Sequence, residues 1–584
     1  MLISDVEAIT GLSRKSIRLY EAKGLLSAKR AENSYRYFDE QTVEKLKCIA
    51  VLRRVGIPIA DIQLWQSGVI SAEEMFSKRI HQLKSESYAR AEQISLCYRL
   101  MENSDTGLWW ELAGLGKKSR DALFDEEAEE PANKKPGEPV CVGIDLGTTT
   151  ISSVVISQRT GDTYGVYTIR NGTDIQSACA EEKVQDAGRL LERAQRLLDF
   201  LVDKFSPVEA IGITGQMHGI VYSSGDKVLS PLYTWQDQRA SAEFCRELMM
   251  LSGYGVAPGY GLATHIFLKR AGQMPEGAKC ISTIMDFFAA KLCGLDTPVM
   301  HATNAASLGF YDLCSNRFDA DALERCGAFA GILPAVTAGC EVIGSYRGIP
   351  VAVAIGDNQA SFLGAVKDQE RSALANFGTG SQISLVTSEI GDRPIFGGEI
   401  EVRPYVDGEF LLCGSGLCGG RAYAIIEPFF RAYAVACGLP DTEQYEVLNR
   451  LAEKGVESKN VLRVRTTFSG TRSDPDMRGE ISGISEDNFT PEALAAGCLY
   501  GMAGELHEIY GKIGGTRQID RLVASGNAIR KNRILKKVLS EVFGMPVLVS
   551  KYGEEAARGA AIFAAAAILG EAARKVAARC VIYE

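Results

Sequence analysis

The sequence predicts a multidomain protein in which a small helical module precedes a long α/β region, and three observations predict it. The chain has 584 residues, 46% apolar and 23% charged, an ordinary globular composition at a length well beyond what one core needs. Its first 68 residues alternate short helical stretches with turns and carry 11 Lys+Arg against 8 Asp+Glu, reversing the net charge of -9 of the whole chain. From Val140 onward, apolar β-branched runs alternate with Gly-rich turns and amphipathic stretches, the texture of packed strands and helices.

The acidic balance, with a pI near 5.5, excludes a protein that coats nucleic acid or anionic membrane indiscriminately, so basic character must be sought locally. The longest clean apolar run, Gly559 to Gly570, is too short to span a bilayer, and no basic stretch leads into an apolar core at Met1. A cytoplasmic location without membrane partners is the expectation. Fifteen cysteines lack CxxC or zinc-finger spacing, which fits reduced thiols and indicates no metal site among them.

In the first module, Ser4 is placed to cap a helix over Asp5–Thr10, Gly11 marks a turn, and Ser13 caps a second helix through Glu21 that stops at Gly24. This is a helix-turn-helix. Ala31 to Ser34 form a turn between two short extended segments flanked by Arg30, Tyr35, Arg36 and Tyr37, a wing able to touch phosphates. From Ser71 to Asn103, Phe76, Ile80, Leu83, Ala91, Ile94, Tyr98 and Met101 recur at helical spacing. A long solitary helix of this kind is most simply covered by its copy in a second chain. Residues 104–138 turn acidic and Pro/Lys-rich around Leu108-Trp109-Trp110 and are expected to be a linker. The expected boundaries are 1–70, 71–103, 104–138, 139–372 and 373–584.

Four constellations carry chemistry in the α/β region. Val142 to Thr150 reads as a strand, a tight turn at Gly147-Thr148-Thr149 and a second strand. Glycine, amides and hydroxyls in such a turn suit phosphate, and Asp145 at the strand end suits Mg2+. The pattern recurs about 230 residues later at Asn376 to Ser381, with Gly378 and Thr379 in the turn, which suggests two related halves gripping one triphosphate. Gln216, Met217, His218, Trp235, Asp237 and Arg239 cluster in GQMHG and TWQDQR. Amides, acids and an aromatic face are what vicinal hydroxyls require, although His218 by itself reads equally as a structural histidine. Asp357, ending the run Val353 to Gly356, is placed to take the proton of an attacking alcohol or merely to cap the next helix. Near the C-terminus, Gly526-Asn527 follows a strand, and the small residues from Gly553 to Ala561 suit a flat adenine. Gly414 to Gly420 matches GxGxxG but lacks the second strand and acid of a dinucleotide site.

Residues 140–584 resemble the FGGY carbohydrate kinases; GQMHG, WQDQR and GDNQAS are most similar to the family's sedoheptulokinase/xylulokinase branch, and TFSGTR (Thr467–Arg472) resembles a further family segment. The resemblance implies two ribonuclease-H/actin-like domains closing on a cleft, with ATP and Mg2+ required. It puts Asp145 and Thr148 with metal and phosphates and makes Asp357 the catalytic base. Gln216, Met217, His218 and Asp237 would line the sugar site. Gly378, Thr379, Gly419, Gly420, Gly526 and Asn527 would border the nucleotide, where one glycine stands in place of the two or three usual at Gly526. Residues 1–103 resemble the MerR-type winged helix-turn-helix regulators through Ile17-Arg18-Leu19-Tyr20-Glu21, Gly24-Leu25-Leu26 and Tyr35-Arg36-Tyr37. That resemblance implies a duplex DNA operator contacted by Arg14, Lys15, Arg18, Tyr20 and Arg36, and a homodimer through residues 71–103. Cys97 is alone in its region, against metal sensing. Two functions follow: a ketose kinase joined to a DNA-binding regulator, or a sugar-sensing transcription factor built on a catalytically idle kinase fold.

Overall fold

A computed structural model describes residues 1, 3–10, 12–27, 29–30, 36–85, 101, 137–390, 400–439, 441–471, 474, 476–513 and 519–584. The chain clusters into two compact units, Met1–Glu130 with Ala434–Gln444, and Pro131–Tyr433 with Tyr445–Glu584.

The first unit is helical. Helix α1 (Ile3–Thr10) begins before Ser4, so that residue lies within its first turn rather than capping it. Helix α2 (Arg14–Ala22) is capped as expected, with Ser13 Oγ accepting from Ser16 N at 3.1 Å. Strands β1 (Lys29–Arg30) and β2 (Arg36–Tyr37) pair antiparallel, Arg30 opposite Arg36. Helices α3 (Glu40–Arg54), α4 (Ile59–Gln66) and α5 (Ala72–Ser85) follow. Val6, Leu12, Ile17, Phe38, Leu46 and Ile49 close a small core. Of the predicted dimerisation helix only the start is seen in α5 and Met101; residues 86–100, the turn 31–35, and the linker with Trp109 and Trp110 lie outside the described residues.

The second unit contains two sheets of related order. In the first, β3 (Val140–Leu146), β4 (Thr150–Ser157) and β5 (Thr163–Arg170) form an antiparallel meander. Helix α6 (Ala187–Lys204) then leads to β6 (Val208–Gly215), parallel to β3. A long insertion precedes β7 (Val342–Tyr346), β8 (Ile349–Ala352) and β9 (Ile355–Gly356), the last two parallel to β6. Helix α7 (Asp357–Ala365) crosses to the second half. There β10 (Ser372–Phe377) and β11 (Ser381–Thr387) repeat the β3–β4 hairpin, β12 (Ile400–Pro404) and β13 (Phe410–Gly416) extend it, and β14 (Arg521–Ser525) and β15 (Val547–Val549) add parallel strands beyond β10. Helix α8 (Pro491–Ile513) precedes β14, and α9 (Arg533–Phe543) lies between β14 and β15. The recurrence at 230 residues is therefore a repeat of sheet position.

Helix α10 (Glu555–Leu569) corrects one expectation. Its small residues do not receive adenine; Ala557, Gly559, Ala560 and Ala561 are buried against the first sheet and α7. A Cβ on Gly143 would lie 1.8 Å from Ala557 O, one on Gly212 1.9 Å from Ala560 O, and one on Gly559 1.8 Å from Ala360 O. The small side chains serve close approach between backbones. Helix α7 in turn carries Phe362 and Leu363 into a shared core with Leu374, Leu411, Cys413 and Val523 of the second sheet. Each half thus sends a helix to the other. Among the described residues every cysteine is a free thiol, and no helix is long and apolar enough to cross a membrane.

Candidate active site

Sheet register brings the acids together. Asp145 lies opposite Thr214 at the end of β3, and Gly356, immediately before Asp357, lies opposite Gly215 at the end of β6. Gln216 follows β6, so three adjacent parallel strands deliver Asp145, Gln216 and Asp357 at their C-terminal ends, the edge where open α/β sheets bind ligands. Strand alternation puts Asp145 on the same face as Gly143, the face covered by α10. Just before that helix, Glu554 sits at φ 58° and accepts a hydrogen bond from Thr168 Oγ1 at 3.2 Å.

Burial, then the neighbouring carboxylates of Asp357 and Glu554, push the Asp145 carboxyl well above the usual range. Its Oδ1 is buried with no hydrogen-bond partner. Asp357 keeps part of its surface accessible yet is packed closely enough that burial raises it to about 6, against the lowering effects of the Asn358 amide and Arg403. Its setting is braced: Thr303 Oγ1 accepts from Gly356 N at 3.0 Å, Thr214 Oγ1 donates to Ile355 O at 2.7 Å, and Gln359 Nε2 donates to Pro404 O at 2.9 Å.

The first turn touches the polar cluster directly. Trp235 Nε1 donates to Thr148 Oγ1 at 3.0 Å, and Gln185 Nε2 donates to Thr148 O at 2.8 Å. Gln185 also accepts from Gln216 Nε2 at 2.9 Å. Trp235 is 46% exposed and Gln216 buried, while the Met217 sulfur would lie 2.6 Å from a Cβ on Gly356. His218, at φ 70°, stacks on Tyr260 with centroids 4.6 Å apart. Its Nδ1 lies 2.7 Å from Ser307 O. A carbonyl only accepts, so Nδ1 carries the proton of this contact.

Asp237 and Arg239 are not brought to this surface. Asp237 is fully buried, accepts from Arg239 Nη2 at 3.0 Å and from Lys183 N at 3.2 Å, and Arg239 Nη1 also reaches Glu182 at 2.8 Å. The pair braces the 182–183 segment, satisfying its own charges internally. Sequence reasoning passed over Tyr260, Glu401 and Arg403, which stand outside any motif, and read Glu554 only as part of the small-residue stretch from Gly553 to Ala561; folding alone assembles them.

In the second half, three glycine segments converge. Gly420 N donates to Gly378 O at 2.9 Å and Arg421 N to Thr379 O at 3.1 Å. A Cβ on Gly419 would lie 2.1 Å from Gly380 O, and one on Gly526, at φ +94°, 2.5 Å from Phe377 O. Asn527 begins the short helix Asn527–Lys531. The GxGxxG match is confirmed as a decoy, since β13 is antiparallel to both neighbours and begins no βαβ unit. Thr466 and Thr467 of the TFSGTR region, with Ser415 and Gly416, line a groove of about 1170 Å3 beside this half.

Comparison with known proteins decides the family. Residues 140–375 match the N-terminal domain of the FGGY family of carbohydrate kinases and residues 376–568 its C-terminal domain. The chain belongs to the FGGY family of carbohydrate kinases. Residues 1–68 match the MerR HTH family of regulatory proteins, so the kinase is fused to a MerR helix-turn-helix module. Similar curated proteins include sedoheptulokinase of Mus musculus, 27% identical over 73% of this chain and 97% of its own length, and sedoheptulokinase of Homo sapiens with the same identity and coverage. Among solved structures, xylulose kinase from Lactobacillus acidophilus superposes with TM-score 0.65 at 18% identity, covering 76% of this chain and 93% of that chain. The fold is thus the ribonuclease-H/actin-like one of FGGY kinases, and ATP is the kinase's phosphoryl donor.

On the MerR module, Lys15 and Arg18 of α2 are exposed, and Arg14 is exposed and paired with Glu7 at 2.8 Å. Tyr20 is only 3% exposed, so its ring packs the core rather than standing out beside Arg18. Arg36 lies in β2.

Proposed function

We propose that the kinase half phosphorylates a hydroxyl of a ketose of the sedoheptulose or xylulose class, and that the MerR half holds the protein as a dimer on duplex DNA. The observation carrying the catalytic reading is the delivery of Asp145 and Asp357 to one sheet edge beside the Gly147–Thr149 turn. An idle sensor has no use for two crowded carboxyls there. The sugar class is supported by the relatives named sedoheptulokinase and xylulose kinase and by the hydroxyl-binding character of Gln216, His218 and Trp235.

The residues fit Mg2+. Asp145, with an unpartnered buried oxygen beside the carboxylates of Asp357 and Glu554, would hold a divalent cation, whose charge would offset their repulsion. Bound there, Mg2+ supplies charge neutralisation for the phosphates. Asp357 accepts the proton of the attacking hydroxyl as phosphoryl transfer proceeds. The Thr303 and Thr214 bonds fix the strand end that carries it, which keeps the base in attack geometry. Trp235 presents its ring to the sugar while its Nε1 anchors Thr148. Gly378, Thr379, Gly419, Gly420, Gly526 and the Asn527 backbone form the nucleotide wall, where Gly419, Gly420 and Gly526 let the three segments close backbone to backbone and the exposed amides and the Thr379 hydroxyl suit phosphate. Asp237 and Arg239 act from behind.

On DNA, Arg14, Lys15 and Arg18 meet bases or phosphates and Arg36 a phosphate, and the helix beginning with α5 pairs with its copy across residues 71–103. Ketose-dependent ADP release by the purified full chain, screened over five- to seven-carbon ketoses, tests the catalytic reading. If none turns over, the sugar-sensing transcription factor replaces it.

A further inference from the structure

Glu401 and Arg403 are two residues apart on β12 and therefore point to the same face. Arg403 Nε and Nη2 both donate to Glu401 Oε2, at 3.2 and 2.6 Å, and the side chains are 12% and 3% exposed. This nearly buried pair borders the turn that carries Asp357. Cys413, opposite Glu401 in the ladder, has its sulfur 3.6 Å from Asn358 Oδ1, and Pro404, next to Arg403, receives the Gln359 hydrogen bond. The guanidinium interacts electrostatically with both Asp357 and Tyr260, and Tyr260 is the ring stacked on His218. Arg403 is thus a neighbour of the base and of the His218–Tyr260 wall.

We infer that Arg403, clamped by Glu401, is a hydrogen-bond donor to the acceptor and selects neutral polyhydroxylated sugars over carboxylated ones. This rests on the ketose kinase reading and deepens it. Among the described residues both hydrogen bonds of the guanidinium go to one carboxylate oxygen, and Nη1 makes none. A guanidinium has five donors in a fixed fork and stays charged at any working pH. Its remaining N–H groups offer a charge-assisted bond to a sugar oxygen. Glu401 already cancels the charge, so an aldonate placed there meets a carboxylate as well as a cation, and loses more than it gains. A hydroxyl suffers no such repulsion.

The test uses the full chain and compares ketoses with aldonates of equal carbon number by ADP release. Arg403→Gln is expected to raise the ketose KM by about tenfold or more while the ATP KM moves by less than about twofold. Arg403→Lys should recover part of the loss, which a packing defect would not allow. Glu401→Gln, which keeps shape and an acceptor oxygen, should lower the aldonate-to-ketose KM ratio. An unchanged ketose KM in Arg403→Gln overturns the inference; if that variant does not fold, an unchanged ratio in Glu401→Gln does so. Should the wild type turn over no ketose, the kinase reading fails separately, and the readout becomes the melting-temperature shift produced by ketose. Loss of that shift in Arg403→Gln supports the role of Arg403, and its retention, or its absence from the wild type, overturns it.

Discussion

Asp145 and Asp357 stand on either side of one strand end: Asp145 is in register with Thr214 and Gly356 with Gly215, so the two carboxyls share an edge without sharing a strand. Each is pushed upward by burial, and Asp145 further by the charge of Asp357. Crowded acids of this kind cost stability when ionised and are retained where chemistry needs them.

Replacing the base tests its role directly. Asp357→Asn should lower kcat by about 10²- to 10⁴-fold with little change in the ATP KM, measured as ketose-dependent ADP release; a loss confined to KM would move Asp357 from chemistry to binding.

The same residue sets an acid limit. A base must be ionised to accept a proton, and Asp357 is raised to about 6, so kcat/KM should fall about tenfold per pH unit below that value. The residual activity of Asp357→Asn should lack this limb. A limb near the ordinary carboxylate value of about 4 would contradict the burial of the group.

Asp286 gives a stability signature distinct from catalysis. It is fully buried, accepts from Thr283 Oγ1 at 2.6 Å and Asn304 Nδ2 at 2.8 Å, and is raised to about 7 by burial. Between the unfolded value of about 3.9 and 7, the folded chain holds a proton that the unfolded chain has released. Stability therefore falls as pH rises through this window, by an amount on the order of 4 kcal/mol. Asp286→Asn, scanned by urea melts from pH 5 to 8, should show a flatter dependence than the wild type.

The packing of α10 on α7 leaves no room for a side chain at Gly559. Gly559→Val would drive atoms into Ala360 O, 1.8 Å from the first added carbon, and should destabilise the kinase half by roughly 3 kcal/mol or more. Thermal melts would read the loss; an unchanged melting temperature would mean that α7 and α10 separate freely.

For the MerR half, Arg18→Ala should weaken duplex binding and reduce its salt dependence by about one counterion while kinase turnover is unchanged. Fluorescence anisotropy at several salt concentrations measures this, and an equal fall in both activities would show that the halves do not act separately.

Most of the fold could be read from periodicity because the two glycine-turn hairpins and the β-branched runs are local signals. Asp145, Gln216 and Asp357 were legible for the same reason: each closes an apolar strand, and chain ends of parallel strands meet. What could not be read depends on distant partners. Asp237 and Arg239 look exposed in TWQDQR, but they are neighbours whose opposite charges satisfy each other once buried. Tyr20 carries a polar tip on a helix whose inward face only the packed module reveals. The alanines of α10 suit any close approach, and sequence alone did not distinguish a nucleotide from a backbone. Arg403 lies in no motif and gains meaning only when β12 arrives beside α7.

The exchange of α7 and α10 also bears on ancestry. A lone repeat of this design would expose the apolar face that the other repeat's helix now covers. If the two halves descend from one duplicated gene, the ancestral polypeptide was an obligate twin that lent a helix to its sibling, and fusion made that loan permanent.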